Sequence, residues 1–190
     1  MSKTRILLFG GTFDPIHHGH LIACQSVGEE IGATRIILIP CAVSPFKTSA
    51  QRTPPEHRLQ MCRLAAELDS RFEVSDVELT RGGTSYTIDT VNWFRTHVGA
   101  DSELYWLIGA DSLPQLPKWR ESQALLRQCQ VVVAARPPLP TIAWSDFTAA
   151  FGTEVTGRLR AHEFSTPLID ISATELRARA ATGRSLQNRV

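Results

Sequence analysis

The chain has 190 residues, and its 20 lysines and arginines stand against 19 acidic residues, so the formal net charge is +1. A surplus of one charge excludes the broad electrostatic attraction by which proteins bind nucleic acid or anionic membranes, so any anionic partner must be met locally. With 43% hydrophobic and 21% charged residues, the composition is that of an ordinary globular protein, and the length predicts a single domain over 1–190.

Cysteine usage and hydropathy predict a cytoplasmic location. Cys24, Cys41, Cys62 and Cys129 are far apart and form no Cys-x-x-Cys pair, which is typical of buried thiols in a reducing compartment. No apolar stretch approaches the ~18 residues of a membrane span. The apolar run 6–9 is too short for the core of a signal peptide. We therefore expect neither a membrane nor a nucleic-acid partner.

The first 40 residues predict a strand, a helix and a second strand. Residues 5–9 are aliphatic and β-branched and end at Gly10 and Gly11, as in a buried parallel strand. Apolar residues then recur at helical spacing over 19–31, and 35–39 is a second strand that ends at a proline. This order is typical of a βαβ unit in a parallel sheet.

Strands and helices continue to alternate along the rest of the chain. Thr53 is predicted to cap a helix that runs to about Leu68, and Ser172 a helix that follows a strand. The other predicted strands are 72–74, 76–79, 103–108, 131–135 and 168–171, and the other predicted helical segments are 85–97, 112–116 and 119–128. The fold class is therefore α/β: a single-domain, Rossmann-like, doubly wound and mostly parallel sheet with helices on both faces.

The segment after the first strand has the character of an anion site. Paired glycines let the backbone approach a ligand closely, and the following helix start offers free N–H groups. Neither the P-loop nor the dinucleotide fingerprint is present. Instead, His17 and His20 are placed where both imidazoles can face one phosphate, with His18 between them as a spacer. A metal site or a purely structural role are the alternatives, and only Asp14 is near enough in sequence to act as a further ligand.

A second helix start has similar chemistry. Ser172 and Glu175 fit a capping box, which is a structural role in its own right. Thr174 adds a hydroxyl and Arg177 adds a guanidinium one turn later. Two phosphate-binding helix starts in one small α/β domain suggest a polyphosphate held between them.

These motifs resemble those of the nucleotidyltransferase superfamily of adenylyl- and cytidylyltransferases, which carry a Thr/His-x-Gly-His core. The chain is similar, more narrowly, to the family of bacterial nicotinate-nucleotide adenylyltransferases. The segments that carry the resemblance are Gly10–His20, Ser85–Thr90, Ile108–Ser112, Leu116–Trp119 and Ile171–Arg177. The resemblance implies an enzyme that joins nicotinate mononucleotide to the adenylyl group of ATP, with Mg²⁺ entering on ATP and no protein metal site.

The resemblance also implies roles for individual residues. Three would be catalytic: His17, His20 and Arg177. Nine would bind ATP: Gly10, Gly11, Thr12, Phe13, Gly109, Asp111, Ile171, Ser172 and Thr174. Four would bind nicotinate mononucleotide: Lys47, Tyr86, Thr87 and Trp119.

Some of these assignments have structural alternatives. Lys47 could equally be a surface lysine, and a tryptophan such as Trp119 is more often core than ligand contact. Trp93 and Trp106 fall inside helix and strand patterns and are expected in the core. Arg81 and Arg136 are cations without an assigned role that could flank the same cleft.

Several functional alternatives stay open at the level of sequence. A sister adenylyltransferase could act on nicotinamide mononucleotide or phosphopantetheine, and a non-catalytic nucleotide-binding module could share the fold. A dehydrogenase is disfavoured because its glycine fingerprint is missing. The family usually continues with a proline-containing turn and a terminal helix, so the tail from about Arg184 is expected to be atypical or shortened. Assembly into a homo-oligomer is a further open expectation.

Overall fold

Short apolar segments pair side by side into a parallel sheet, in a computed structural model that describes residues 3–46, 53–99, 101–135 and 142–190. Within those ranges, the sheet has six strands in the order β3-β2-β1-β4-β5-β6, and every pairing is parallel. The strands are β1 (Arg5–Gly11), β2 (Arg35–Pro40), β3 (Phe72–Val74), β4 (Glu103–Gly109), β5 (Gln130–Ala135) and β6 (Glu163–Ser165). This order is that of the doubly wound dinucleotide-binding folds.

Helices connect the strands and cover both faces of the sheet. They are α1 (His18–Glu30), α2 (Pro55–Ala66), α3 (Val77–Arg81), α4 (Thr87–His97), α5 (Ser122–Gln128), α6 (Trp144–Phe151), α7 (Thr153–Ala161) and α8 (Ala173–Ala181), with a 3-10 segment over Leu113–Lys118. The α/β, doubly wound prediction is confirmed, and the sheet is parallel throughout the described chain.

The hydrophobic core consists of two layers because successive side chains of a strand point to opposite faces. Leu7 of β1 packs in the layer that includes Cys24 and Val27 of α1. Its neighbours Ile6 and Leu8 pack in the other layer, against residues of α4 and α5. Burial on both faces explains why these strands are almost continuously apolar in sequence.

Two predicted strands are wrong. The segment 76–79 forms the start of helix α3, whose first residues Val77 and Glu78 are buried. The segment 168–171 has no regular secondary structure and pairs with no strand of the described sheet, and Leu168 is 67% exposed. The sixth strand is instead β6, which is shorter and more polar than an apolarity pattern can detect.

Three smaller expectations also change. The second helix begins at Pro55 with Pro54 in the cap position, so Thr53 does not cap it. Trp93 is not a core residue, because it is 38% exposed and stacks on His97 with ring centroids 3.9 Å apart, whereas Trp106 is buried as expected. Helices α6 and α7 were not predicted from the sequence.

The C-terminal tail folds back against the start of α1. The carbonyl of Arg189 accepts a hydrogen bond from the backbone N–H of His18 at 3.1 Å, and the guanidinium of Arg189 lies 3.6 Å from the carboxylate of Glu175. The guanidinium of Arg179 donates to the carbonyl of Ser185 at 3.1 Å. The tail thereby links the N-terminal ends of α1 and α8.

The four cysteines are free and buried, as the sequence predicts. Burial raises the pKa of Cys62 and of Cys129 to about 12, so both are neutral thiols near pH 7. Among the described residues, the structure contains no helix with the length and apolar character that crossing a membrane requires.

The close packing of β1 gives a prediction for stability. A Cβ at Gly10 would lie 2.7 Å from Cζ2 of the buried Trp106, whereas a Cβ at Gly157 in helix α7 would meet nothing within 4 Å. We expect Gly10→Ala to lower the free energy of unfolding by about 1 to 3 kcal/mol through overpacking. Gly157→Ala, the matched control, should raise it by about 0.5 to 1 kcal/mol. Urea denaturation measures both, and equal effects would contradict the packing argument.

Candidate active site

A cleft opens where the strand order reverses, between the carboxyl ends of β1 and β4. In open α/β sheets this switch point is the usual ligand site. The cleft has a volume of about 480 Å³. Its lining includes seven residues predicted to bind substrates: Gly10, Gly11, Thr12, Thr87, Gly109, Asp111 and Trp119.

The loop after β1 needs glycine for close packing. A Cβ at Gly11 would lie 2.8 Å from Cε1 of Phe13, whose ring fills the space under the loop and is 2% exposed. Phe13 itself has a φ of 48°, an unusual backbone conformation for a residue with a large side chain. The backbone at Gly10 and Gly11 therefore forms a floor of the cleft that side chains do not obstruct.

His17 and His20 are brought together at the start of α1, as predicted. His17 occupies the cap position, and the two rings stack with centroids 3.7 Å apart and planes 30° apart. The backbone N–H of His17 donates to Nδ1 of His20 at 3.3 Å, and the ring of Phe13 meets that of His20 edge to face at 5.4 Å. The carbonyl of His17 accepts the N–H groups of His20 and Leu21. The imidazole pair is thus held in one orientation by its own helix start.

The second helix start lies beside the first. Ser172 caps α8 by accepting the N–H of Glu175 at 3.2 Å. Arg177 donates from Nη1 to the carbonyl of Asp14 at 2.7 Å and from Nη2 to Oγ1 of Thr174 at 3.2 Å. A Cβ at Gly19 would lie 3.7 Å from the side chain of Ile169, which precedes the predicted Ile171. Arg177 therefore joins the two motifs that were predicted from segments far apart in the sequence.

Two buried groups hold the first loop in place, and the sequence did not reveal the burial of either. Arg58 of α2 is 2% exposed and donates to the carbonyls of Thr12 at 2.7 Å and Thr53 at 3.1 Å. The buried carboxylate of Asp14 accepts the N–H of Thr53 at 3.3 Å. In the sequence, Arg58 is simply a charged residue of an amphipathic helix. Such residues usually lie on the solvent-exposed face, so the sequence gives no signal that Arg58 is buried.

Aromatic rings stand at the far side of the cleft. Trp119 and Phe46 both line it, with ring centroids 6.0 Å apart and planes 33° apart. The indole N–H of Trp119 is buried and has no hydrogen-bond acceptor among the described residues. Tyr86 packs partly buried against the core, and the guanidinium of Arg120 lies 4.7 Å from the centre of its ring. Lys47 and Arg136 fall outside the residues that the structure describes.

A buried acid also borders the cleft. Glu78 is 3% exposed, and its carboxylate accepts a hydrogen bond from the hydroxyl of Thr90 at 2.6 Å. Burial raises the pKa of Glu78, while hydrogen bonds from Thr90 and Ser85 and the charge of Arg81 oppose that rise. Arg81 also donates to Oγ1 of Thr90 at 3.0 Å, so this cation belongs to the same hydrogen-bond network as Glu78.

The cleft thus combines a glycine floor with an aromatic pair, Phe46 and Trp119. The imidazole pair and Arg177 are not among its lining residues but lie beside it, since the ring of His20 is 6.0 Å from that of Phe9, which lines the cleft. The chain belongs to the cytidylyltransferase-like family, whose model matches residues 8–179. Enzymes of this class are nucleotidyltransferases.

Relatives narrow the class further. The chain is 45% identical to a probable nicotinate-nucleotide adenylyltransferase of Opitutus terrae, over 96% of this chain and 88% of that protein. It is 38% identical to a protein of the same description from Rhodopirellula baltica, over 100% of this chain and 88% of the relative. These matches group the chain with the nicotinate-nucleotide adenylyltransferases, which are enzymes of NAD biosynthesis.

Solved structures agree on the fold. Nicotinic acid mononucleotide adenylyltransferase of Plasmodium falciparum, complexed with NaAD, superposes with a TM-score of 0.74 over 97% of this chain and 88% of that chain. The sequence identity of that pair is 16%, so the likeness concerns the architecture.

The buried acid gives a prediction for stability against pH. Because burial raises the pKa of Glu78, the folded protein binds a proton there at pH values where the unfolded chain, with a carboxyl pKa of about 4.3, has lost it. The measured quantity is the free energy of unfolding of the wild type minus that of Glu78→Gln. This difference should fall as the pH rises from the unfolded pKa of the carboxyl to its higher folded pKa, and it should be constant above the folded pKa. Urea denaturation at several pH values measures this difference.

Glu154→Gln is the matched control, because the side chain of Glu154 is 87% exposed. Its stability difference from the wild type should vary little over the same range. A Glu78→Gln difference that is flat, or that rises with pH, would contradict the predicted shift.

Proposed function

We propose that this cleft transfers the adenylyl group of ATP to the 5′-phosphate of nicotinate mononucleotide, forming nicotinate adenine dinucleotide and releasing pyrophosphate. The observation that carries the proposal is the contact of Arg177 with Asp14, which sets two helix starts side by side at the switch point of the sheet. Two adjacent helix starts, one with two imidazoles and one with a guanidinium, suit a chain of phosphates that must be bound on both sides of the bond that breaks.

The reaction is an in-line displacement at the α-phosphorus of ATP. The acceptor phosphate oxygen forms a new P–O bond while the bond to the β-phosphate oxygen breaks, and pyrophosphate leaves with the electron pair. Such transfers need positioning and neutralisation of spread negative charge, and no covalent nucleophile. His17 and His20 are proposed to donate to the oxygens around the reacting phosphorus, because their stacked rings present both imidazoles at one place.

The pyrophosphate end of ATP is assigned to α8. Arg177 offers a planar fork of donors that suits phosphate oxygens, and the hydroxyls of Ser172 and Thr174 stand at the same helix start. Ile171 directly precedes this helix start, where the backbone of Ser172 is extended. The leaving group would thus be stabilised as its charge develops.

The adenosine end is assigned to the glycine floor and to β4. Gly10, Gly11 and Thr12 line the cleft after β1, and Gly109 and Asp111 line it after β4. The carboxylate of Asp111 can accept hydrogen bonds from ribose hydroxyls. Phe13 is proposed to act beneath this floor, where its ring supports the loop.

The acceptor is assigned to the aromatic side of the cleft. Trp119 offers a flat face for the pyridine ring, and Thr87 opens helix α4, whose first turn offers N–H groups to the carboxylate. Tyr86 would contribute through its backbone, because its ring packs against the core. Lys47 is proposed as a clamp on the acceptor phosphate.

Magnesium is proposed to enter as part of the ATP substrate. The side chains that converge here are imidazole and guanidinium groups, and the described residues contain no cluster of three or more His, Cys, Asp or Glu that could hold a metal ion. Phosphate oxygens and water are the ligands Mg²⁺ prefers in such sites, and the bound ion would neutralise charge on the phosphates. We further propose a cytoplasmic location, since all four cysteines are free thiols.

The test of this function is pyrophosphate release from MgATP with nicotinate mononucleotide, nicotinamide mononucleotide or phosphopantetheine as the acceptor. We expect the highest kcat/KM with nicotinate mononucleotide. Release with none of the three acceptors would reject an enzymatic function, and a preference for phosphopantetheine would reject the acceptor assignment.

The first mutational prediction concerns the imidazole pair. His20→Ala should lower kcat by about 10²- to 10³-fold, because a donor to the transition state is lost. His57→Ala, on the exposed side of α2, serves as the control and should keep wild-type turnover. Circular dichroism checks that both variants are folded, and near-normal turnover of His20→Ala would remove that residue from the mechanism.

The second mutational prediction concerns Trp119, at the aromatic side of the cleft. Trp119→Ala should raise the KM for nicotinate mononucleotide by about tenfold through lost stacking, with a much smaller effect on the KM for ATP. Trp93→Ala is the control, because Trp93 stacks on His97 at the surface and lines no part of the cleft. An unchanged acceptor KM in Trp119→Ala would reject the stacking role.

A further inference from the structure

Arg58 is a buried cation to which the proposed reaction assigns no role. It lies in α2, is 2% exposed, and forms no ion pair with a carboxylate of the described residues. Its guanidinium instead donates to two backbone carbonyls, that of Thr12 at 2.7 Å and that of Thr53 at 3.1 Å. Burying a charge costs free energy, and two peptide carbonyls compensate it less than a carboxylate would. Such a group calls for an explanation beyond packing.

The carbonyl of Thr12 begins a three-residue segment that contacts both groups proposed to bind phosphate. The next residue, Phe13, meets the ring of His20 edge to face, with the ring centroids 5.4 Å apart. The residue after it, Asp14, accepts the guanidinium of Arg177 at its carbonyl at 2.7 Å. Residues 12–14 are therefore the spacer between the imidazole pair and Arg177.

The backbone of this spacer needs support from outside. Phe13 has a φ of 48°, a conformation that residues with a large side chain rarely adopt. On one side of Phe13, Arg58 holds the carbonyl of Thr12. On the other side, the carboxylate of Asp14 accepts the N–H of Thr53 at 3.3 Å, and the carbonyl of the same Thr53 accepts Arg58. The two supports meet at Thr53 and enclose the spacer.

We propose that Arg58 is a positioning residue for the transfer: by donating to the carbonyls of Thr12 and Thr53, it fixes residues 12–14 and so sets the distance between the imidazole pair and Arg177. Arg58 touches no substrate in this role. The proposal rests on the proposed function, in which the two helix starts bind different phosphates of one ATP molecule. Its effect should therefore depend on whether a nucleotide is long enough to reach both helix starts.

A comparison of MgATP with AMP tests this distance. In the proposed binding mode ATP spans both helix starts, whereas the single phosphate of AMP reaches only the imidazole pair. Arg58→Met keeps much of the side-chain volume and removes the donors. It should lower the preference for MgATP, measured as the Kd for AMP divided by the Kd for MgATP, by about fivefold or more, because simultaneous binding at two places requires the right separation. Titration calorimetry gives both Kd values.

The same variant should also affect turnover. A small displacement of the groups that bind the reacting phosphates has a large effect on the rate of transfer, so kcat for pyrophosphate release should fall by about tenfold or more. Arg58→Lys keeps the charge but cannot reproduce the planar fork that reaches two carbonyls. It should lower the preference for MgATP by a smaller factor than Arg58→Met does.

Arg95→Met is the matched control. The guanidinium of Arg95 also donates to two backbone carbonyls, that of Gln128 at 2.7 Å and that of Ser102 at 2.8 Å, but Arg95 lines no part of the cleft. This variant should lower the free energy of unfolding, because two carbonyls lose their donor. It should leave the ratio of the two Kd values as it is in the wild type.

A double-mutant cycle tests the route to Arg177. Arg177→Met removes the hydrogen bond to the carbonyl of Asp14 and should itself lower the preference for MgATP. Adding Arg58→Met to this variant should lower the preference little further, because both changes disturb the same separation.

Four outcomes would overturn the proposal: an unchanged preference for MgATP in Arg58→Met, equal weakening of MgATP and AMP as in a merely structural defect, additive effects of the Arg58 and Arg177 changes, or a wild type that binds AMP as tightly as MgATP. If Arg58→Met does not fold, Arg58→Lys decides by the same ratio. Failure of the proposed function is distinct, because the wild type would then prefer MgATP to AMP and yet release no pyrophosphate with nicotinate mononucleotide.

Discussion

The hydrogen bond from Arg177 to the carbonyl of Asp14 is the contact on which the candidate site depends. It joins residues 163 positions apart and crosses from the last helix of the described chain to the loop after the first strand. The carbonyl of Asp14 is held in place to accept this bond in two ways. The N–H of Thr53 donates to the carboxylate of Asp14, and the buried Arg58 donates to the carbonyl of Thr12 in the same loop. These contacts fix the separation of the two helix starts, which the proposed binding of one nucleotide's phosphates by both would require.

The sequence predicts the parts of this arrangement that depend on local patterns, and it does not predict the parts that depend on contacts between distant residues. Local patterns predict the sheet and the place of the site. Strands β1 and β4 are apolar runs that end in glycine, and the helix start at His17 follows the first of them. Segment 168–171 is equally apolar but pairs with no described strand, because whether a run joins a sheet depends on partners that local sequence does not specify. The buried charges Arg58 and Glu78 could not be predicted, because a charged residue in a helix ordinarily faces solvent and only tertiary contacts reveal its burial.

The near-neutral net charge of the chain does not describe how the charges are distributed around the candidate site. Across the rest of the described surface, positive groups are often paired with acids, as Arg35 is with Glu73 at 2.6 Å and Arg71 is with Asp69 at 2.6 Å. Beside the cleft, Arg177 instead donates to a carbonyl and a hydroxyl, and it forms no ion pair with a carboxylate of the described residues. In the proposed function, such a local charge would attract phosphorylated metabolites, whereas a net charge of +1 gives no broad attraction to long polyanions.

The backbone at the start of α1 shows how this site differs from a glycine-rich phosphate cradle. The N–H of His18 is directed to the tail carbonyl of Arg189, and those of His20 and Leu21 return to the carbonyl of His17. Of the first four N–H groups of the helix, that of Gly19 alone has no acceptor within the described ranges, and a side chain at Gly19 would press on the ring of His17 at 3.1 Å. A P-loop binds phosphate mainly through the peptide backbone. Here the peptide donors are largely occupied by the protein itself, so a phosphate group bound at this helix start, as proposed, would have to be recognised mainly through side chains.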